Sequence, residues 1–333
     1  MLTGIRALLD PDRCHDGDRK RPFFEGWYYK LVSESQRHRF AVIPGISRGA
    51  DPSRDHAFIQ VLDGSTGRTA YNEYPIGQFA TAPDRFEIAI GPNRFTTREL
   101  LLDIARPDCR VSGRLAFAGV TPWPVTLASP GVMGPYAWAP FMECYHGVVS
   151  LDHAISGALA IGGETVDFNG GRGYTEKDWG RAFPAAWVWC QTNHFGRPGT
   201  SLTASVAIIP WLRSAFAGQI VGLRHDGALY RFATYTGARI ERLEIADAEI
   251  TWTIADRRHR LELRLARASG GLLRAPTTLA MDRRIAETLI ASVDIRLTEI
   301  DDGRVLFAGT GRHAGLEAAG DLQRLVDLYR AKR

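Results

Sequence analysis

"GYTEKDWGRAFPAAWVWCQTNHF" spans Gly173–Phe195. Glu176, Lys177, Asp178, Arg181 and His194 alternate here with the indoles of Trp179, Trp187 and Trp189. The later part, "AWVWCQTNHF", has the aromatic and β-branched texture of a strand and reads as the opening strand of a second half. The earlier part, "TEKDWG", reads as the junction leading into it. If that junction is extended, Glu176 and Asp178 share one face and Lys177 takes the other.

Strand signals continue on both sides. "WYYKLV" (27–32), "RFAVIPGI" (39–46), "AFIQVLD" (57–63), "FEIAI" (86–90) and "ELLLDI" (99–104) are short and bounded by turn residues. "SLTASVAIIPW", "GQIVGLRHDGALYRF", "AEITWTI" and "HRLELRLARA" follow with the same character. Three pairs of segments recur in one order. "GWYYKLV…FAVIPGI" is similar to "AWVWCQT…SVAIIPW". "FIQVLDGSTGRTAYNEY" is similar to "QIVGLRHDGALYRFATY", and "TVDFNGGRGYTE" to "RVLFAGTGRHAGLE". The prediction is an all-β chain of two tandem lipocalin-like β-barrel domains, residues 1–160 and 161–333. A C-terminal helix is expected in "EAAGDLQRLVDLYRAKR", where Leu322, Leu325, Val326 and Tyr329 form one apolar stripe. An indole near the start of each half would close one barrel end, and a barrel interior could then hold one apolar molecule.

The 333 residues suit two domains. With 41 basic and 37 acidic residues, the charge excess is small and scattered, which argues against nucleic-acid binding. "RCHDGDRKR" (13–21) reads as a solvated basic arm. Cys14, Cys109, Cys144 and Cys190 form no CxxC pair and read as free thiols of a reducing compartment. The N-terminus lacks a secretory signal, and no run approaches the ~20 apolar residues of a membrane span. The expected location is the cytoplasm, compatible with peripheral contact at a membrane.

No phosphate loop, GxSxG elbow or HExxH motif occurs. Glu143 and His146 lie three residues apart in "MECYHG", on opposite faces of a strand or the same face of a helical turn. His146, His153 and His194 could in principle bind a metal, but hydrogen bonding at a barrel mouth is the simpler expectation. Glu25 precedes an aromatic cluster in "FFEGWYY". A carboxyl pressed against indoles loses water, keeps its proton to higher pH, and can act as a general acid. The plain alternative pairs Glu25, Glu143, Glu176 and Asp178 with Lys30, Lys177, Arg172 or Arg181. Indole faces also stabilise cations, by roughly 0.5 to 2 kcal/mol each. One acid among several indoles is therefore what protonation of an alkene requires.

At this point the chain resembles the tocopherol cyclase family, including its bacterial members. The resemblance rests on "FFEGWYYKL" (23–31), "PGVMGPYAWAPFMECYHGVVSLDH" (130–153), "GYTEKDWGRAFPAAWVWCQTNHF" (173–195) and "IIPW" (208–211). It implies a two-part lipocalin-like β fold and closure of a prenylated hydroquinone to a chromanol, with no redox cofactor and no metal. The plant enzymes carry Asn where this chain has Asp178, a departure that bears on the identity of the acid. By this reading Asp178 or Glu176 is the acid, with Glu143 and Glu25 behind them. Trp27, Trp179, Trp187 and Trp189 line the cation site. Tyr28, Tyr145, His146, Gln191, Asn193 and His194 contact the apolar prenylated substrate. Two alternatives stand beside it: another proton-initiated terpenoid enzyme, such as a carotenoid hydratase, and a non-catalytic carrier of an apolar small molecule.

Overall fold

The structure, a computed structural model, describes residues 9–15 and 21–331. The chain divides into two compact units, one of residues 1–183 with 271–284 and one of residues 184–270 with 285–333.

The first unit begins with β1 (Phe23–Val32), β2 (Arg39–Arg48), β3 (His56–Asp63) and β4 (Thr69–Pro75). Short strands follow: β5 (Phe79–Thr81), β6 (Glu87–Ile90), β7 (Asn93–Thr96), β8 (Glu99–Ala105) and β9 (Arg110–Ala118). The last three are β10 (Cys144–Ile161), β11 (Glu164–Asp167) and β12 (Arg172–Gly180). They form one sheet in the order β4-β3-β2-β1-β12-β10-β9-β8-β7-β6-β5, with β11 paired to β10. "TEKDWG" is thus not the junction. It lies within β12, the strand that joins β1 to β10, and only residues 181–185 separate it from the next strand.

The second unit opens with β13 (Ala186–Thr192), β14 (Ser201–Trp211), β15 (Ser214–His225) and β16 (Ala228–Ala233). The Asp226–Gly227 turn between β15 and β16 has positive φ at both residues, the geometry that Gly and Asp tolerate in a two-residue hairpin. Then come β17 (Arg239–Ile245), β18 (Glu249–Ala255) and β19 (His259–Ala266). Residues 271–284 carry β20 (Gly271–Ala275) and belong to the first unit, where Gln60 and Arg274 exchange two hydrogen bonds. β21 (Arg283–Glu299) and β22 (Val305–Gly320) complete the strands. The order is β16-β15-β14-β13-β22-β21-β19-β18-β17. In each sheet, four strands run outward and the first of them pairs with the last strand of the sheet.

Neither sheet closes, which corrects the barrel expectation. The first ends in β4 and β5, the second in β16 and β17. At each seam the two end strands are joined by a short 3-10 turn, Ile76–Gln78 or Thr234–Thr236, and do not pair. The end strand β5, at the first seam, is only three residues long.

The inner faces are filled. In the first sheet Trp27 stacks on Phe86, and Tyr29 lies against Phe95 of β7 and Phe117 of β9. In the second, Val188, Cys190, Leu202, Phe232, Trp252 and Leu263 are buried together. Each such side chain contributes roughly 1.5 to 3 kcal/mol by leaving water. The side chains of "RLELRL" alternate between exposed and buried, as the sequence pattern requires. The C-terminal helix α1 (Leu322–Arg330) buries Leu325, Val326 and Tyr329, and its Asp321 cap accepts from the Arg324 amide at 3.0 Å.

The basic arm needs a second correction. Residues 16–20 fall outside the described residues, but 13–15 do not behave as a solvated segment: His15 is buried and stacks on Trp179 at 4.4 Å. All four cysteines are free thiols. Among the described residues no helix is long and apolar enough to cross a membrane.

Candidate active site on strand β12

Strand β12 runs between β1 and β10, and its alternation sorts its side chains onto two faces. On one face Tyr174, Glu176 and Asp178 stand opposite Lys30, Tyr28 and Gly26 of β1. On the β10 side, Glu176 faces Val148 and Asp178 faces His146. On the other face Lys177 and Trp179 stand opposite Trp27 and Glu25 of β1, and opposite Gly147 and Tyr145 of β10. This is the division that an extended "TEKDW" implies.

The Glu176 face carries a proton-holding cluster. His146 Nδ1 lies 3.0 Å from Asp178 Oδ1, and His146 Nε2 lies 3.5 Å from Glu176 Oε2. The Tyr174 hydroxyl donates to Glu176. Burial works against the imidazolium. The charges of Asp178 and Glu176 and the hydrogen bond to Asp178 outweigh it, holding the His146 pKa up at about 9. His146 is therefore charged at neutral pH. The side chains of His146, Glu176 and Asp178 are 15%, 6% and 27% exposed, so the cluster is sheltered but reachable. Their ligand atoms lie within 4.8 Å of one another, the one such trio of His, Cys, Asp or Glu among the described residues. A metal ion there would have to displace the proton of His146.

The opposite face holds a cation in the dry interior. Lys177 and Glu25 are both fully buried. Lys177 Nζ lies 2.5 Å from Glu25 Oε1, 2.5 Å from the Arg13 carbonyl oxygen and 3.0 Å from His15 Nδ1. It sits 4.5 Å from the ring centroid of Trp27 and 4.8 Å from that of Trp179. Glu25 also accepts from the His15 amide. Burial alone would push the Glu25 pKa up. Lys177 and His15 outweigh it and bring the carboxyl down to about 2.

The named residues thus fall into three groups. Glu176, Asp178, His146 and Tyr28 share the cluster face. Glu25, Trp27, Trp179 and Tyr145 lie on the Lys177 face, where the two indoles flank an ammonium of the protein itself and Tyr145 stacks on Trp179. Glu143, just before β10, is half-buried; burial raises its pKa, against the pull of Arg181 and Arg283. Trp187, Trp189, Gln191, Asn193 and His194 lie on or just after β13 in the second unit. There Trp187 Nε1 donates to Glu317 at 2.6 Å. The three histidines do not assemble. His153 is buried against Phe117 and bonded to Ser150, with its pKa pressed down to about 3 by burial, and His194 bridges to Arg312. Sequence reasoning missed Tyr174. Its signal is the same alternation, two residues before Glu176.

Known proteins place this arrangement in a family. The sequence pattern described as "Tocopherol cyclase-like" matches residues 125–320. The rice (Oryza sativa subsp. japonica) protein "Probable tocopherol cyclase, chloroplastic" is 24% identical over 385 aligned positions, covering 95% of this chain and 79% of that protein. "Tocopherol cyclase, chloroplastic" of maize (Zea mays) is 26% identical over 203 positions, covering 54% of this chain and 40% of that protein. Two solved structures share the fold. CghA with Sch210972 has a TM-score of 0.54 at 12% identity, over 90% of this chain and 89% of that one. Kievitone hydratase from Nectria haematococca has a TM-score of 0.53 at 12% identity, over 89% of each chain. The family match covers more than half of the residues, including β10, β12 and their whole acid–histidine cluster, and the chain accordingly belongs to the tocopherol cyclase-like family.

Proposed function

We propose that this chain catalyses an acid-initiated addition to a carbon–carbon double bond of an apolar, prenylated substrate. The observation that carries the reading is His146 set 3.0 Å from Asp178 and 3.5 Å from Glu176 on a sheltered but partly exposed face, where the two carboxylates favour its protonated form. In water, an imidazolium of this pKa protonates an alkene poorly. When an apolar substrate covers the cluster, separated charges lose their solvation, and transfer of the proton from His146 to a carboxylate becomes favourable. Asp178, the more exposed of the two, then acts as the acid. Its proton forms a C–H bond with the alkene π electrons and leaves a cation at the more substituted carbon. A phenolic oxygen of the same molecule closes the ring and returns its proton to the cluster. The step is redox-neutral and calls for no electron acceptor.

The family and the names of the two plant relatives support capture by the substrate's own oxygen. Water is the second nucleophile. The exposed edge of Asp178 favours it, since a solvated carboxylate can also hold a water for attack. The test is mass spectrometry of the protein incubated with a panel of prenylated hydroquinones. An isomer of unchanged mass marks ring closure, and a product heavier by one water marks hydration. Saturable binding with no product would overturn catalysis and leave a carrier.

A further inference from the structure

We infer that Lys177, with Glu25 beneath it, is a positioning residue: the buried pair locks β12 in the one register that presents Glu176 and Asp178 to His146. The inference rests on the reading of that cluster as the proton donor. Because side chains alternate along a strand, a slip of one residue transposes the faces. It would carry Lys177 to His146 and turn both carboxylates into the interior. On hydrophobicity alone "TEKD" sets no preference between the two registers, since no residue in it is apolar.

The structure supplies that preference on the reverse side. The ammonium has three N–H groups: Glu25 and the Arg13 carbonyl accept from it, and His15 Nδ1 lies 3.0 Å away while also standing 2.8 Å from Glu25 Oε1. Two indoles flank it. Gly147 faces Lys177 from β10; a Cβ there would come within 3.2 Å of both Lys177 Cγ and Trp179 Cζ3, so this glycine leaves space for the lysine stem. Three strands and the 9–15 segment are therefore shaped around one charge. Such a pair is a poor way to gain stability, because an apolar pair of similar volume often does as well or better. Its better-attested use is to forbid alternative registers.

The test replaces both members, Lys177→Met with Glu25→Leu, so that no lone charge is left buried and the fold survives. Two readouts follow: NMR titration of the His146 ring, and kcat against KM for a prenylated hydroquinone that the wild type converts. Loss of register control should lower the His146 pKa by at least about one pH unit as the carboxylates move away. It should cut kcat by about tenfold or more, with KM within about twofold. A folded double variant that keeps both the wild-type His146 titration and kcat overturns the inference. If the wild type converts no member of the panel, the proposed function fails by itself. The His146 titration then decides the positioning role alone, with an unchanged pKa overturning it.

Discussion

The two units use one strand order for different interiors. In each, four strands run outward and the first pairs with the last. The inner face of the second sheet is mainly aliphatic and aromatic, from Val188 and Cys190 to Leu316, with the uncharged Thr192 and Gln219 buried among them. The inner face of the first is interrupted by an ammonium and a carboxylate, Lys177 and Glu25, with no water-exposed surface. A frame that can be filled with hydrocarbon needs no such pair. The pair joins β1 to β12, the strand whose opposite face carries Glu176 and Asp178.

The sharpest way to break this contrast is Asp178→Asn. A positioned acid contributes roughly 10²- to 10⁴-fold, and turnover of a prenylated hydroquinone by the folded variant should fall by that much. Unchanged turnover would remove Asp178 from the acid role and leave Glu176. Next comes Lys177→Met alone. Stranding Glu25 in the interior should cost about 3 to 5 kcal/mol in urea denaturation. The aliphatic counterpart, Leu316→Ala in the second unit, should cost about 2 to 5 kcal/mol. The two are distinguished by rescue: adding Glu25→Leu should restore most of the loss from Lys177→Met, and nothing comparable repairs the cavity.

The pH dependence of stability should also separate the units. The raised pKa of His146 gives stability that is full below about 6.5 and lost as pH rises toward about 9, roughly 3 kcal/mol in all. The lowered pKa of Glu25 gives stability present above about 4.5 and lost as pH falls toward about 2. Both losses should appear in hydrogen exchange of β1 and β12 before that of β13 and β14. The smallest expected effect is Trp27→Phe. It weakens one indole contact with Lys177 and removes the 3.1 Å bond to the Asp12 carbonyl, for about 1 to 2 kcal/mol by thermal denaturation.

Much of the strand framework was legible because alternation and turn residues are local signals. "SLTASVAIIPW" is β14 from end to end, and the stripe of Leu325, Val326 and Tyr329 is the buried face of α1. Closure was not legible. It depends on whether β4 meets β5 and β16 meets β17, and no local pattern encodes those edges. The similarity of "GWYYKLV" to "AWVWCQT" also misleads at the level of side chains. Trp27 faces the interior of its sheet, whereas Trp187 and Trp189 alternate with the interior residues Val188 and Cys190 and so point the other way. In the site, the shared face of Glu176 and Asp178 followed from spacing. Glu25 stood among the salt-bridge partners the sequence offered for Lys177, but the spacing could not single it out, and the Arg13 carbonyl was not anticipated, because both lie more than 150 residues earlier.

Residues 9–15 hold no group of the proposed reaction, yet the Arg13 carbonyl and the His15 ring complete the surroundings of Lys177. The family pattern begins at residue 125 and so leaves out both this segment and β1. Residues 125–320 are therefore a unit of sequence similarity but not of dissection. Excised, they would present β12 with an unpaired edge and a lysine stripped of its counter-ion. Cleavage between residues 15 and 21 would uncap that lysine, and Arg13 and His15, read from the sequence as part of a solvated arm, would register as part of the core.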